Sequence, residues 1–204
     1  MVSTTEARPA DAVPPSPKKS WRTPAEGGVW IFIFGDMSVF AVFFALYLLV
    51  RIGNPAQAAL DQAALNKNFG AINTVLLLVS SLSVVLATRA VRSATQSRHA
   101  PKFIIGAFIC GVGFLAIKVV EYTEKVQHGI TPYTSDFFMY YYVLTGLHAF
   151  HLLIGLTVLI GLFKLARKPD MGTKEYSLFE SGACFWHMVD LLWIVLFPLI
   201  FLVR

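Results

Sequence analysis

Charge is scarce in this 204-residue sequence: Asp, Glu, Lys and Arg supply 14% of it, against 56% hydrophobic residues. A water-soluble domain of this length does not bury so much apolar side chain, so that class is excluded. Cysteine is nearly absent. Cys110 and Cys184 both fall inside apolar runs, which excludes a disulfide framework or a CxxC metal site and leaves core packing as their reading. Proline is missing from the apolar runs except at Pro198, and no two halves of the chain repeat one another. Both absences argue against the broken helices and internal repeats of a proton-coupled or small-solute membrane transporter, the alternative from another functional class. The basic residues form no separate arm or domain, so the net charge of +5 does not point to nucleic acid.

What the sequence has instead is length in its apolar segments. Five spans, at about 29–50, 69–91, 103–127, 137–164 and 180–203, approach or exceed the roughly 20 residues needed to cross a bilayer. The expected fold is all-α, a polytopic bundle of five transmembrane helices. The third span is the weakest, because Lys118 interrupts it and Glu121 follows, although a tilted helix can run on to His128. Residues 1–28, with Pro9, Pro14, Pro15, Pro17 and Pro24, read as a disordered Pro-rich cytoplasmic tail, and 29–204 as the transmembrane domain. A secretory signal is not indicated, since the first apolar run begins only at Val29 and outlasts an h-region of about 7–15 residues.

Basic residues accumulate in cytoplasmic loops, and the 17 here divide unevenly. Twelve lie on one side: Arg8, Lys18, Lys19, Arg22, Arg89, Arg92, Arg98, Lys102, Lys164, Arg167, Lys168 and Lys174. Arg51, Lys67, Lys118, Lys125 and Arg204 lie on the other. This asymmetry predicts a cytoplasmic N-terminus and an outside C-terminus.

At about 100° per residue, the polar residues within the spans collect on stripes. Asp36 shares one with Phe40, Phe43 and Tyr47; Asn73 with Leu77, Ser80 and Val84; His148 and His151 with Tyr141, Leu144 and Gly155; Glu180 with Cys184 and His187, Asp190 lying at the edge. The third span carries the cluster Lys118, Glu121, Tyr122, Glu124, Lys125. For Asn73, Ser80 and Ser81 the reading is interhelical hydrogen bonding, at about 1 kcal/mol each. A buried carboxylate must be neutralised by a proton or a cation. Asp36, Glu121, Glu180 and Asp190 are the candidates, with His148, His151 and His187 as available mates; both structural pairing and proton handling stay open, most evenly for Asp36, whose own helix offers no basic neighbour within a turn. A metal or haem in this chain is not expected. The paired Glu-x-x-His motif of di-metal bundles is absent, and His187 lies at a different depth from His148 and His151.

Six segments carry a resemblance to subunit III of the haem-copper oxidases, covering nearly all of 29–204. They are Gly-Asp-Met-Ser-Val-Phe-Ala-Val-Phe-Phe-Ala-Leu-Tyr at 35–47, Ile-Asn-Thr-Val-Leu-Leu at 72–77, Glu121-Tyr122, Thr-Gly-Leu-His-Ala-Phe-His at 145–151, Phe179-Glu180, and Trp-His-Met-Val-Asp-Leu-Leu-Trp at 186–193. The fourth and sixth, in that order on the last two helices, are the most specific. The resemblance implies a non-catalytic subunit that packs on the catalytic subunit I (with II), supports proton uptake and aerobic electron transport, and is a candidate to hold phospholipid. It implies haem and copper in the partner subunits and none here. The family's long form has seven helices; five resembles the short forms of quinol oxidases, of some cytochrome oxidases and of the NorE-type proteins that accompany nitric oxide reductases. In long forms the two further helices make one wall of a lipid-holding cleft. The first-helix carboxylate, usually glutamate in cytochrome c oxidases, is Asp36 here, a substitution that leans toward the quinol-oxidase or NorE-like branch. On this reading Asp36 is the candidate proton-responsive carboxylate, and Asn73, Glu121, Tyr122, His148, His151, Glu180, His187 and Asp190 make up an intramembrane polar network.

Overall fold

A computed structural model describes residues 27–93, 96–168 and 171–203. Of the tail expected at 1–28, all but residues 27 and 28, which open the first helix, lies outside the described residues. Six α-helices and no strand occur among the described residues: α1 (Gly27–Gly53), α2 (Pro55–Ala63), α3 (Lys67–Val91), α4 (Ala100–Gln127), α5 (Asp136–Ala166) and α6 (Thr173–Phe197). All but α2 belong to segments long and apolar enough to cross a membrane. α4 runs unbroken past Lys118 and Glu121.

Helix ends are set by side chains that satisfy the first free backbone N–H groups. Asn54 accepts from Gln57 N ahead of Pro55, Asn66 from Asn68 N, and Ser135 from Phe138 N. Within the helices, Ser38, Thr74, Ser83, Thr88 and Thr123 each donate to the carbonyl four residues back. These hydroxyls therefore cost little in an apolar setting.

α3, α4, α5 and α6 form an antiparallel ring, and α1 lies outside it against α5 and α6. The ring is drawn tight around Trp186 of α6. Its indole N–H donates to Ser80 Oγ of α3 at 3.0 Å, and its ring is flanked by Gly111 of α4 and Gly155 of α5. A Cβ on either glycine would come within 2.9 Å of a neighbouring side chain, Leu156 at Gly111 and Trp186 at Gly155, closer than carbon atoms pack.

Burial is inverted relative to a water-soluble protein. Ile31, Phe34 and Ile52 of α1, Ile109 and Val119 of α4 and Phe150 of α5 all project outward. Polar and charged residues such as Asn73, Lys118, Glu121, His148 and Asp190 face in. That pattern is expected where lipid is the solvent.

At the end of the molecule opposite the α3–α4 loop, α2 acts as a strap. Arg51 donates to Tyr47 Oη, Gln62 Oε1 and the Val203 carbonyl, while Gln62 Nε2 donates to the carbonyls of Ile200 and Val203, each at 2.9 Å. Those carbonyls belong to or follow the π-helical turn Pro198–Leu202, which closes by a Val203 N–H to Pro198 O bond. Asp61 of α2 takes hydrogen bonds from Gln57 and from Ser135 at the start of α5.

Candidate functional site

The polar side chains singled out in the sequence fall into four groups at different depths. The first spans the seam between α1 and α5. Asp36 Oδ1 lies 3.0 Å from His151 Nε2, with both side chains 13% exposed. His151 Nδ1 lies 2.8 Å from the Leu147 carbonyl. A carbonyl can only accept, so Nδ1 carries a proton and Nε2 faces the Asp36 carboxyl group. Phe40 meets the His151 ring edge-on at 5.3 Å, while Asp36 Oδ2 is buried without a partner.

The second group is sealed inside the ring of four. Lys118 Nζ donates to Glu121 Oε2 at 2.8 Å, and Tyr141 Oη of α5 donates to Oε1 at 2.6 Å. The Lys118 and Glu121 side chains are 4% and 1% exposed. Lys118 also sits over the rings of Trp193 at 4.8 Å, Phe201 at 5.5 Å and Tyr141 at 5.6 Å, which supply the cation with electron-rich faces in place of water. Thr145 donates its one proton to the Tyr141 carbonyl, so Tyr122 is the donor in the Tyr122–Thr145 hydrogen bond.

A third group lies beside the second. The His148 ring is held between Phe114 at 5.4 Å and Trp193 at 5.2 Å, and neither of its nitrogens has a hydrogen-bond partner. Both carboxyl oxygens of Asp190, one turn before Trp193, and both amide atoms of Asn73 are likewise buried and unpartnered. Trp193 itself donates to Thr74, the residue after Asn73.

The fourth group lies toward the basic end of the bundle. His187 Nδ1 and Ser81 Oγ are 2.7 Å apart, and Glu180 pairs with Arg92 just beyond α3. His187, Glu180 and Arg92 line a pocket of about 240 Å³ together with Val85, Thr88, Arg89, Ala183 and Cys184.

Of the nine candidates, then, Asp36 meets His151; Glu121 meets Lys118 and Tyr141, not a histidine; Glu180 meets Arg92; His187 meets a serine. Tyr122 bonds to Thr145, and Asn73, His148 and Asp190 carry the unpartnered atoms. Lys118 and Arg92 are the cations that the sequence reading did not assign to a carboxylate. The i, i+3 spacing of Lys118 and Glu121 on one helix was a usable signal; Arg92, past the helix end, offered none. A metal or haem iron is poorly served by these donors. His151 has both nitrogens engaged, His148 is wedged between two rings, and among the described residues no three His, Cys, Asp or Glu side chains converge.

Fold and site together define a multi-pass helical membrane protein whose interior charges are mostly satisfied by one another. Residues 22–203 match the family model described as cytochrome c oxidase subunit III. The chain is 31% identical over 179 residues to cytochrome c oxidase subunit 3 of Alkalihalophilus pseudofirmus, covering 86% of this chain and 84% of that protein. It is 29% identical to cytochrome bo(3) ubiquinol oxidase subunit 3 of Buchnera aphidicola, again over 86% of this chain and 84% of the relative. A match at 28% identity to heme-copper oxidase subunit I+III of Aeropyrum pernix covers 93% of this chain and 23% of that protein. The chain belongs to the cytochrome c oxidase subunit III family.

Proposed function

We propose that this protein is a non-catalytic accessory subunit of a respiratory haem-copper terminal oxidase, supporting electron transport by stabilising the catalytic subunit. The observation that carries the reading is the family match over 22–203. The relative named as a subunit I+III fusion supports a subunit I partner for this chain too. Haem and copper belong to that partner in this reading, which the scarcity of converging donors among the described residues supports. The basic end of the bundle faces the cytoplasm of a bacterial cell, in accord with the distribution of Lys and Arg.

Two finer roles follow within the proposal. A groove of about 440 Å³ between α1, α5 and α6, lined by Val29, Phe32, Val158, Leu162, Leu178 and Phe185, suits a phospholipid acyl chain. Asp36 acts as a proton-responsive site, a reading supported by its carboxyl group facing the His151 imidazole at 3.0 Å on a thinly covered seam.

The test is gentle detergent purification through a tag on this chain, followed by an optical spectrum. A co-purifying haem-bearing complex that reduces oxygen is expected, and a homogeneous haem-free protein with solute uptake would overturn the reading. Within the assembled complex, Asp36→Asn is expected to alter proton uptake or the loss of activity during turnover. If both are unchanged, the role given to Asp36 is wrong while the subunit assignment stands.

A further inference from the structure

The six unpartnered atoms of Asn73, His148 and Asp190 stand apart from every other polar group inside the ring. Glu121, Lys118, Tyr141, Ser80, Thr145 and both tryptophan N–H groups all have protein partners. A buried polar group left without a hydrogen bond is costly, and three such side chains lie at neighbouring levels of the ring. The register of the helices places them together. Thr74 bonds to Trp193 and Ser81 to His187, so α3 and α6 run antiparallel with Asp190 midway between those two bonds. Trp193, one turn further along α6, touches the His148 ring and bonds beside Asn73.

The pocket between α3 and α6 carries Arg89, Arg92 and Glu180 at its rim and His187 on its wall. His187 is bonded to Ser81, and Asp190 lies three residues beyond His187 on α6. Pocket, His187–Ser81 and Asp190 thus follow one another at successive turns of α6.

We propose that this pocket is a water inlet, and that ordered water bound by Asp190, His148 and Asn73 forms a hydrated file leading from the basic end into the middle of the bundle. Each group suits the ligand: the carboxyl group accepts, the amide donates and accepts, and the imidazole can do either, which is what a buried water with about three hydrogen bonds requires. The file is separate from the Asp36–His151 seam. It rests on the geometry of α3, α5 and α6 and stands whether or not the oxidase assignment does.

Thiol accessibility tests it in membranes holding the full chain. Methanethiosulfonate ethylsulfonate, a charged reagent, attacks only thiolates that water reaches. In a background with Cys110 and Cys184 replaced by alanine, Ser81→Cys is compared with Leu82→Cys, its neighbour on α3, which is 58% exposed on the lipid side. The inlet predicts modification of Ser81→Cys at least about tenfold faster than Leu82→Cys, since thiolate formation follows water access; equal rates would overturn it. A density map of the unmodified protein provides a measurement free of substitutions. Water peaks about 3 Å from Asp190 and His148 are expected, and a map that resolves other buried waters but leaves these atoms dry sinks the proposal.

Discussion

The ring of α3 to α6 and the outer helix α1 handle buried charge in opposite ways. In the ring, Lys118 and Glu121 are closed off by aromatic rings and a tyrosine hydroxyl, and half of the most apolar window of α6 is buried. For α1 that share is 6%, and its one carboxylate reaches across a seam to a histidine, leaving one oxygen unpartnered. An ion pair enclosed by a hydroxyl and aromatic faces, with side chains 4% and 1% exposed, holds structure together. The Asp36–His151 contact instead lies at the seam between α1 and α5, each side chain 13% exposed.

That contrast can be broken in four places. The largest effect is expected from Lys118→Met, which strands Glu121 in an apolar interior and should cost about 3–5 kcal/mol, read as a lower thermal unfolding midpoint in detergent. The double variant Lys118→Met/Glu121→Gln should recover much of the loss; a double no better than the single would show that charge pairing is not what Lys118 supplies. Next is Gly155→Ala, whose methyl group would sit 2.8 Å from Trp186 and should cost about 1–3 kcal/mol by overpacking. Its counterpart Gly35→Ala meets nothing within 4 Å and should stay within about 0.5 kcal/mol. Equal penalties for the two alanines would mean that α1 is packed as tightly as the ring. Asp36→Asn should fall between, at about 1 kcal/mol, because the amide can still hydrogen-bond His151. Arg92→Ala, which removes a 60% exposed partner of Glu180, is expected to cost under about 1 kcal/mol and to fade with added salt, with only the Gly35→Ala control smaller.

The five long helices were legible because bilayer-length apolar runs leave few alternatives, and the stripes placed Asp36, Asn73, His148 and Glu180 on helix faces from periodicity alone. Which stripe faces which was not legible. Asp36 reads as a carboxylate without a mate, since its histidine is 115 residues away and pairing depends on α1 packing against α5. Within one helix the prospects were better: Lys118 and Glu121 are three residues apart, yet Lys118 reads first as an interruption of an apolar run, because hydropathy counts a lysine without knowing that four rings surround it. The strap α2 was invisible for a different reason. Its sequence, with Gln57, Asp61 and Gln62, looks like a polar loop, and its helix is stabilised by contacts to the distant carbonyls of Ile200 and Val203 and to Ser135.

The turn at Pro198–Leu202 gives that strap a meaning in time as well as in space. Arg51 and Gln62 reach the translocation machinery early, with their hydrogen-bonding groups unspent, and the carbonyls that receive them exist only once residues 200–203 have been made. Until then the strap is held through Asp61 and Ser135, and residues 200–203 complete the fastening of α1 and α2 to the ring.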